Sequence, residues 1–265
     1  MLNIFKRLWQ VNWAEQWQYR ANLIMYLLYW LVSPIIYLAV WTSIANSKGS
    51  VNGFTAGDFV NYYLVLLVAD QLTSNIVIHN FAYKIQDGAL SSELIRPIHP
   101  ILTNTLVNNL AFKALILIGF TPVWLILTLI FKPDFSGVTW QGVLLAIPAM
   151  LLGFIVGFLL SAVITSVAFW TTRVYSIHEF YYALILLFSG QFVPLTLMPK
   201  LVQDIAQFLP FQLFMYYPVQ LILGKLTTPQ IIQGFVVGFI WLGLSILFFN
   251  FVWSRGVKQY SAVGA

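Results

Sequence analysis

The side chains able to do chemistry are few, and their spacing argues against most reactions. His79, His99 and His178 stand far apart, and none has a second histidine three or four residues away, as a helical metal site needs. Their surroundings make them interfacial or loop histidines. Gly224-Lys225 comes nearest to a phosphate-cradling loop, yet Leu226 follows and no glycine lies at the right upstream spacing. No G-x-S-x-G elbow presents a serine to a base. With no cysteine, disulfides and thiolate metal sites are excluded. The expectation is a chain that is not an enzyme and holds no cofactor or metal of its own.

One acid stands apart. Asp70 lies in VADQLTSN, residues 68–75, inside an apolar run. On a helix Asp70 and Ser74 share one face, while Gln71 and Asn75 share the next, giving a polar strip. An ionisable group within a bilayer is costly, and marks either a pathway or a paired interior site. Two readings stand: a carboxylate bonded to a neighbouring helix, or a substrate path with Gln71 and Asn75.

The elements that hold these residues follow from composition. Of 265 residues 60% are hydrophobic and only 8% charged, with a mean hydropathy of +0.84. A soluble domain carries about 25% charged residues. The chain is therefore expected to be an all-α integral membrane protein, with the lipid bilayer as its solvent. Its net charge of +5 reads as the positive-inside bias of cytoplasmic loops, not as a nucleic-acid surface.

Crossing the hydrocarbon takes about 20 apolar residues. Six spans are expected, over 22–44, 59–79, 106–131, 142–169, 178–198 and 230–253. With the N-terminus inside, Lys6, Arg7, Arg20, Lys84, Arg96, Lys113, Arg173, Arg255 and Lys258 fall inside. Only Lys48, Lys132, Lys200 and Lys225 fall outside. Nine against four puts both termini in the cytoplasm. Residues 201–224 are apolar, but Pro210 and Pro218 cut them into pieces too short to cross. A re-entrant outer segment over about 199–224 is the expectation. Residues 1–21 read as an interfacial amphipathic helix: Phe5, Trp9, Trp13 and Trp17 recur every four residues, with Lys6 and Arg7 placed for headgroups. They lack the apolar core and cleavage site of a signal peptide. Gly153-x-x-x-Gly157 and Gly234-x-x-x-Gly238 would let helices approach closely within one subunit.

Two stretches carry a resemblance. KIQDGALSSELIRPIHP (84–100) and FSGQFVPLTLMPKLVQDIAQFLPF (188–211) resemble the membrane subunits of ABC-2 type transporters, in a bacterial branch long catalogued as an uncharacterised permease family. Its pattern after the second span falls on Gly88, Leu90, Leu94, Arg96 and Pro97, and its outer pattern on Ser189, Gly190, Pro194, Pro199, Leu209 and Pro210. The resemblance covers the whole chain, with residues 22–265 as the permease domain. It implies a cytoplasmic (inner) membrane exporter built from two permeases, this chain with a second copy or a related chain, and two separate ATPase subunits that hold ATP and Mg. It makes residues 83–97 a coupling helix: Lys84, Asp87, Gly88, Leu90, Glu93, Leu94, Ile95, Arg96 and Pro97. Within it Asp87 would serve the helix N-terminus, Pro97 would end it, and Leu90, Leu94 and Ile95 would supply apolar contact to the ATPase. It also implies an outer gate at Gly190, Pro194, Pro199 and Pro210, with Gln191 at the break and able to touch cargo. An ion-coupled secondary transporter using Asp70 is the rival reading, although such folds often show repeated halves and paired broken helices that are not found here. No residue chooses the cargo.

Overall fold

The computed structural model describes residues 2–260, without the side chains of Leu2, His79, Asn80, Thr103 and Asn104, so the expectation for the His79 ring lies outside the described residues. In chain order the helices are α1 (Leu2–Gln18), α2 (Arg20–Lys48), α3 (Ala56–Thr73), α4 (Val77–Gln86), α5 (Ser91–Leu94), α6 (Leu106–Phe131), α7 (Trp140–Ser166), α8 (Val174–Phe188), α9 (Lys200–Ala206), α10 (Tyr216–Ile222) and α11 (Thr228–Gln259). No β-strand occurs among the described residues. Four helices, α2, α6, α7 with its 3-10 extension to Phe169, and α11, are long and apolar enough to cross a membrane.

Local chemistry sets their ends. Thr55 and Asp58 form a reciprocal capping box at the start of α3, and Thr227 with Gln230 does the same for α11. The Gly142 N–H donates to Thr139 Oγ1 at 3.1 Å, capping α7. Lys132, left-handed at φ +46°, closes α6. Pro34, Pro122 and Pro148 sit inside long helices, as membrane helices tolerate.

Burial ranks the layers. Half of the apolar window of α7 is buried, against 17% for α2, α6 and α11, so α7 is the central post. Around it pack α3, α4, α10 and α11. The interior falls into two clusters. The larger joins α2, α3, α6, α7 and the 211–221 segment, and the smaller joins α4, Leu90, Ile101, the second half of α7 and Phe249 of α11.

Two expected spans are not continuous. Residues 59–79 were expected as one helix, but α3 stops at Thr73 and α4 starts at Val77. No proline or glycine marks this break; Ser74, Asn75 and Ile76 leave the helix without one. Residues 178–198 shorten likewise: α8 ends at Phe188, and Gly190 turns the chain at φ +81°. A Cβ at Gly190 would meet Tyr62 Oη and Tyr216 Cβ, so only glycine fits.

The backbone released by the second break is satisfied from neighbouring helices. Tyr62 donates to the Gly190 carbonyl at 2.8 Å, and Tyr63 and Trp41 both donate to that of Phe192, at 2.7 and 3.0 Å. Thr73 donates to the Phe214 carbonyl at 2.6 Å, and the Tyr216 N–H to that of Ser189 at 2.9 Å. Each such carbonyl left bare in an apolar interior would cost several kcal/mol.

The glycine pairs do pack within the subunit, but against the irregular segment as much as against helices. A Cβ at Gly153 would run into the Leu213 carbonyl, and one at Gly157 would press on Phe214 at 3.3 Å. At Gly234 it would enter the Tyr217 ring, and at Gly238 it would strike Leu152. Residues 210–222 are thereby seated between α3, α7 and α11. In α1, the aromatic stripe is divided: Trp13 packs on the larger cluster and Phe5 is half-buried. Asn12 is buried, accepts from Asn108 at 2.9 Å and docks α1 on α6, while Trp9 and Trp17 stay exposed.

Candidate functional site

Asp70 opens into a cavity of about 270 Å³ between α2, α3, α7, α8 and the 214–215 turn. Three of the four expected pathway residues line it: Asp70, Asn75 and Gln191. Gln71 does not. It is 1% exposed, and neither its side-chain oxygen nor its nitrogen has a hydrogen-bond partner. The helix wheel set Gln71 beside Asn75, but the chain leaves the helix at Ser74 and carries Asn75 to the cavity.

The side chain missed by sequence reasoning is Glu179. It faces the cavity from α8 together with His178, Tyr181 and Tyr182, and the long apolar stretch after it masked the first turns of that helix. Asp70 is 8% exposed, and its carboxylate has no hydrogen bond or ion pair within 4 Å among the described residues. Its electrostatic neighbour is Lys113. Lys113 was counted among the inner-side charges, but it is half-buried two turns inside α6; nine less one leaves eight against four. Its ammonium donates to the Gln71 carbonyl at 2.7 Å and Ser74 Oγ at 3.4 Å, and lies 5.3 Å from the centre of the Phe154 ring. A cation on the last carbonyls of α3 complements the helix end and holds the break open. Lys113 thus stands behind the cavity wall with its donors engaged elsewhere.

The segment expected to act as a coupling helix has another form. α4 ends at Gln86, Asp87 caps its C-terminus, Gly88 reverses the chain at φ +79°, and α5 spans only Ser91–Leu94. Asp87 therefore serves no helix N-terminus. Leu90 is fully buried and Glu93 6% exposed, and Lys84 pairs with Glu93 at 2.8 Å, so these three bind the segment to the chain itself. Ile95, by contrast, is 86% exposed, and Arg96 and Pro97 are exposed beside it. Behind them, His99 packs on the Trp253 ring at 4.6 Å and Phe81 stacks on Trp253 at 5.7 Å. The turn is thus rigidly joined to α4 and the end of α11.

At the opposite end, Gly190 and Pro194 are buried at the α8 break, Pro210 is buried at a 3-10 turn, and Pro199 is exposed at the start of α9. Among the described residues no three His, Asp or Glu side chains gather as a metal site. The arrangement offers a polar cavity between broken helices. A protein-family model described as ABC-2 family transporter protein matches residues 21–264, nearly the whole chain. No curated protein matches it.

Proposed function

The chain belongs to the ABC-2 transporter family, and from that premise we propose that it is the permease subunit of an ATP-driven exporter in the bacterial cytoplasmic membrane. It is a membrane transporter subunit rather than an enzyme. ATP and Mg are bound by two copies of a separate ATPase, and the pathway forms as this chain pairs with a second copy or a related permease. Six crossings with both termini in the cytoplasm result if α3–α4 and α8 each cross as broken spans, with 199–224 re-entrant from outside. α1 then lies along the inner headgroup layer.

The single observation that carries this reading is the connection from an exposed turn to the cavity at Asp70. Ile95, Arg96 and Pro97 project from a turn tied to the end of α4, and α4 begins three residues after Ser74, at the break that puts Asn75 in the cavity beside Asp70. Push on the turn is passed through α4 to the break, and α3 and α8 shift between two packings that the ATPase cycle favours in turn. No chemistry in this chain is needed.

The test is co-purification from native membranes in mild detergent, repeated with Ile95→Asp and Arg96→Ala together. An ATPase that accompanies the native chain and is lost from the double variant supports the coupling turn. No ATPase under any condition refutes it. The unpaired carboxylate of Asp70 favours one second reading, an ion-coupled transporter. Asp70→Asn should abolish that activity while leaving ATP-driven export in place.

A further inference from the structure

The lining of the cavity is one-sided in its chemistry. Two carboxylates face it, Asp70 from α3 and Glu179 from α8, and no lysine or arginine does. His178 is the one basic side chain among the lining residues, and the nearby ammonium of Lys113 is spent on the end of α3. The side-chain oxygen of Gln191, in a residue only 5% exposed, has no hydrogen-bond partner, and is a third acceptor at the cavity. A buried acceptor of this kind costs free energy until something donates to it. Asp70 and Gln191 are both more than nine-tenths buried and come from different segments, Asp70 from α3 and Gln191 from the turn after α8, and among the described residues nothing donates to the Asp70 carboxylate or to Gln191 Oε1. Both wait for a donor from outside.

Much of the remaining wall is aromatic, Tyr26, Tyr29 and Trp30 of α2 and Tyr181 and Tyr182 of α8, with small polar side chains such as Ser33 and Ser161 between them. Ring faces attract cations, and more strongly when water is thinned out around them. They also accept apolar bodies. Along α8, Glu179 and Phe188 are separated by roughly 14 Å of helix rise, with Gln191 just beyond, so the acceptors are spread along a slot. An anion would meet two carboxylates with no lysine or arginine in the lining to offset them, and a neutral apolar molecule would leave the Gln191 oxygen bare. A cation bearing N–H groups answers every one of these features.

We propose that the cavity binds a protonated amine carried on an apolar or aromatic body, its ammonium donating to Asp70 and Glu179, a second N–H further along the molecule reaching Gln191, and its body lying against the α2 and α8 rings. This rests on the reading of the cavity as the transport pathway and names its cargo class. It separates amines from quaternary cations, which carry the charge but no N–H.

The test uses the full-length chain in nanodiscs of zwitterionic lipid, without ATP or ATPase, titrated with dansylcadaverine, a primary amine on an aromatic body. The comparison ligands are its N-acetylated neutral form and its N-trimethylated form. The amine is expected to bind about tenfold more tightly than either. Glu179→Gln should weaken amine binding about tenfold. Because Glu179 is an exposed side chain, its variant keeps the fold. Asp70→Asn should act likewise, and Asp204→Asn, which removes a surface carboxylate paired with Lys200, should change nothing. If the acetylated form binds as well as the amine, or Glu179→Gln binds it undiminished, or none of the ligands binds, the cargo class is wrong. If only the trimethylated form matches the amine, the N–H donors are not recognised and the proposal also falls. Since no ATPase is present, failure here is distinct from failure of the coupling, which co-purification tests.

Discussion

Lys113, half-buried, and Asp70, buried, are the ionisable groups that decide the middle of the molecule. The ammonium spans from the α3 carbonyl end to within electrostatic reach of Asp70, so removing it uncovers both. Lys113→Met should lower stability by about 2 kcal/mol, the scale of a buried hydrogen bond to a charged group. Part of that loss should return in Lys113→Met with Asp70→Asn, because the second change removes the uncompensated carboxylate. A thermal-melt cycle of the four proteins measures it, and simple additivity would disconnect the two. His99 makes a separate, pH-linked contribution outside the spans. Burial lowers its pKa, its Nδ1 accepts from the Ile101 N–H at 3.2 Å, and its ring rests on Trp253. Below about pH 6.5 the unfolded histidine takes a proton that the folded one resists. Stability is therefore whole above that pH and falls as the pH drops through the lowered folded value. His99→Phe, which keeps a ring against Trp253 but cannot titrate, should melt with a flatter pH dependence between 7.5 and 5.5. An equal slope in both proteins would remove His99 from the account.

At the scale of elements, hydropathy read the long helices well and the broken ones poorly. α2, α6, α7 and α11 follow from runs of apolar residues with capping threonines or a left-handed end, all of them local. The α8 break was visible in Gly190 and Pro194, and the break at Ser74 was not, because the forces that keep it lie elsewhere in the chain: Thr73 on the Phe214 carbonyl and Lys113 on that of Gln71. The coupling segment misled for the same reason. Lys84 and Glu93 are nine apart, a spacing that no helical period suggests, and their pairing turns Leu90 and Glu93 inward. Glu179 was missed since nothing in its own neighbourhood says which face of α8 meets Asp70. The glycines allow a test of the packing that replaced a simple bundle. Gly153→Ala sets a methyl against the Leu213 backbone, which cannot swing away as a side chain can. It should cost about 1–3 kcal/mol, as overpacking does. Gly243→Ala in α11 meets nothing within 4 Å and should be neutral or slightly stabilising. Melting temperatures of the two variants settle it, and equal values would mean that residues 210–222 yield freely.

For the whole molecule, the proposed direction of work depends on which end of the cavity faces the ATPase. Asp70 and Glu179 lie toward the end where α4, the Ile95 turn and the C-terminal part of α11 gather, while Lys225 and the Asp58–Asp134 region lie at the other. In the orientation proposed from the charge count the first end is cytoplasmic, and there the exposed Ile95 turn is joined to the cavity through α4. The chain has no cysteine, so a single introduced thiol reports one place without background. Ile95→Cys and Lys225→Cys are the informative pair, both being exposed side chains. In intact cells a membrane-impermeant maleimide should label Lys225→Cys and spare Ile95→Cys, and in inside-out vesicles the pattern should reverse. Adding the cognate ATPase to those vesicles should then slow labelling of Ile95→Cys. Labelling of Ile95→Cys from outside would turn the chain over in the membrane, and no cytoplasmic ATPase would reach the turn. With that orientation established, a push at Ile95 arrives at the carboxylate end of the cavity first, so the amine would be taken from the cytoplasmic side and the α8 break, held by Tyr62, Tyr63 and Trp41, would be the last barrier to release.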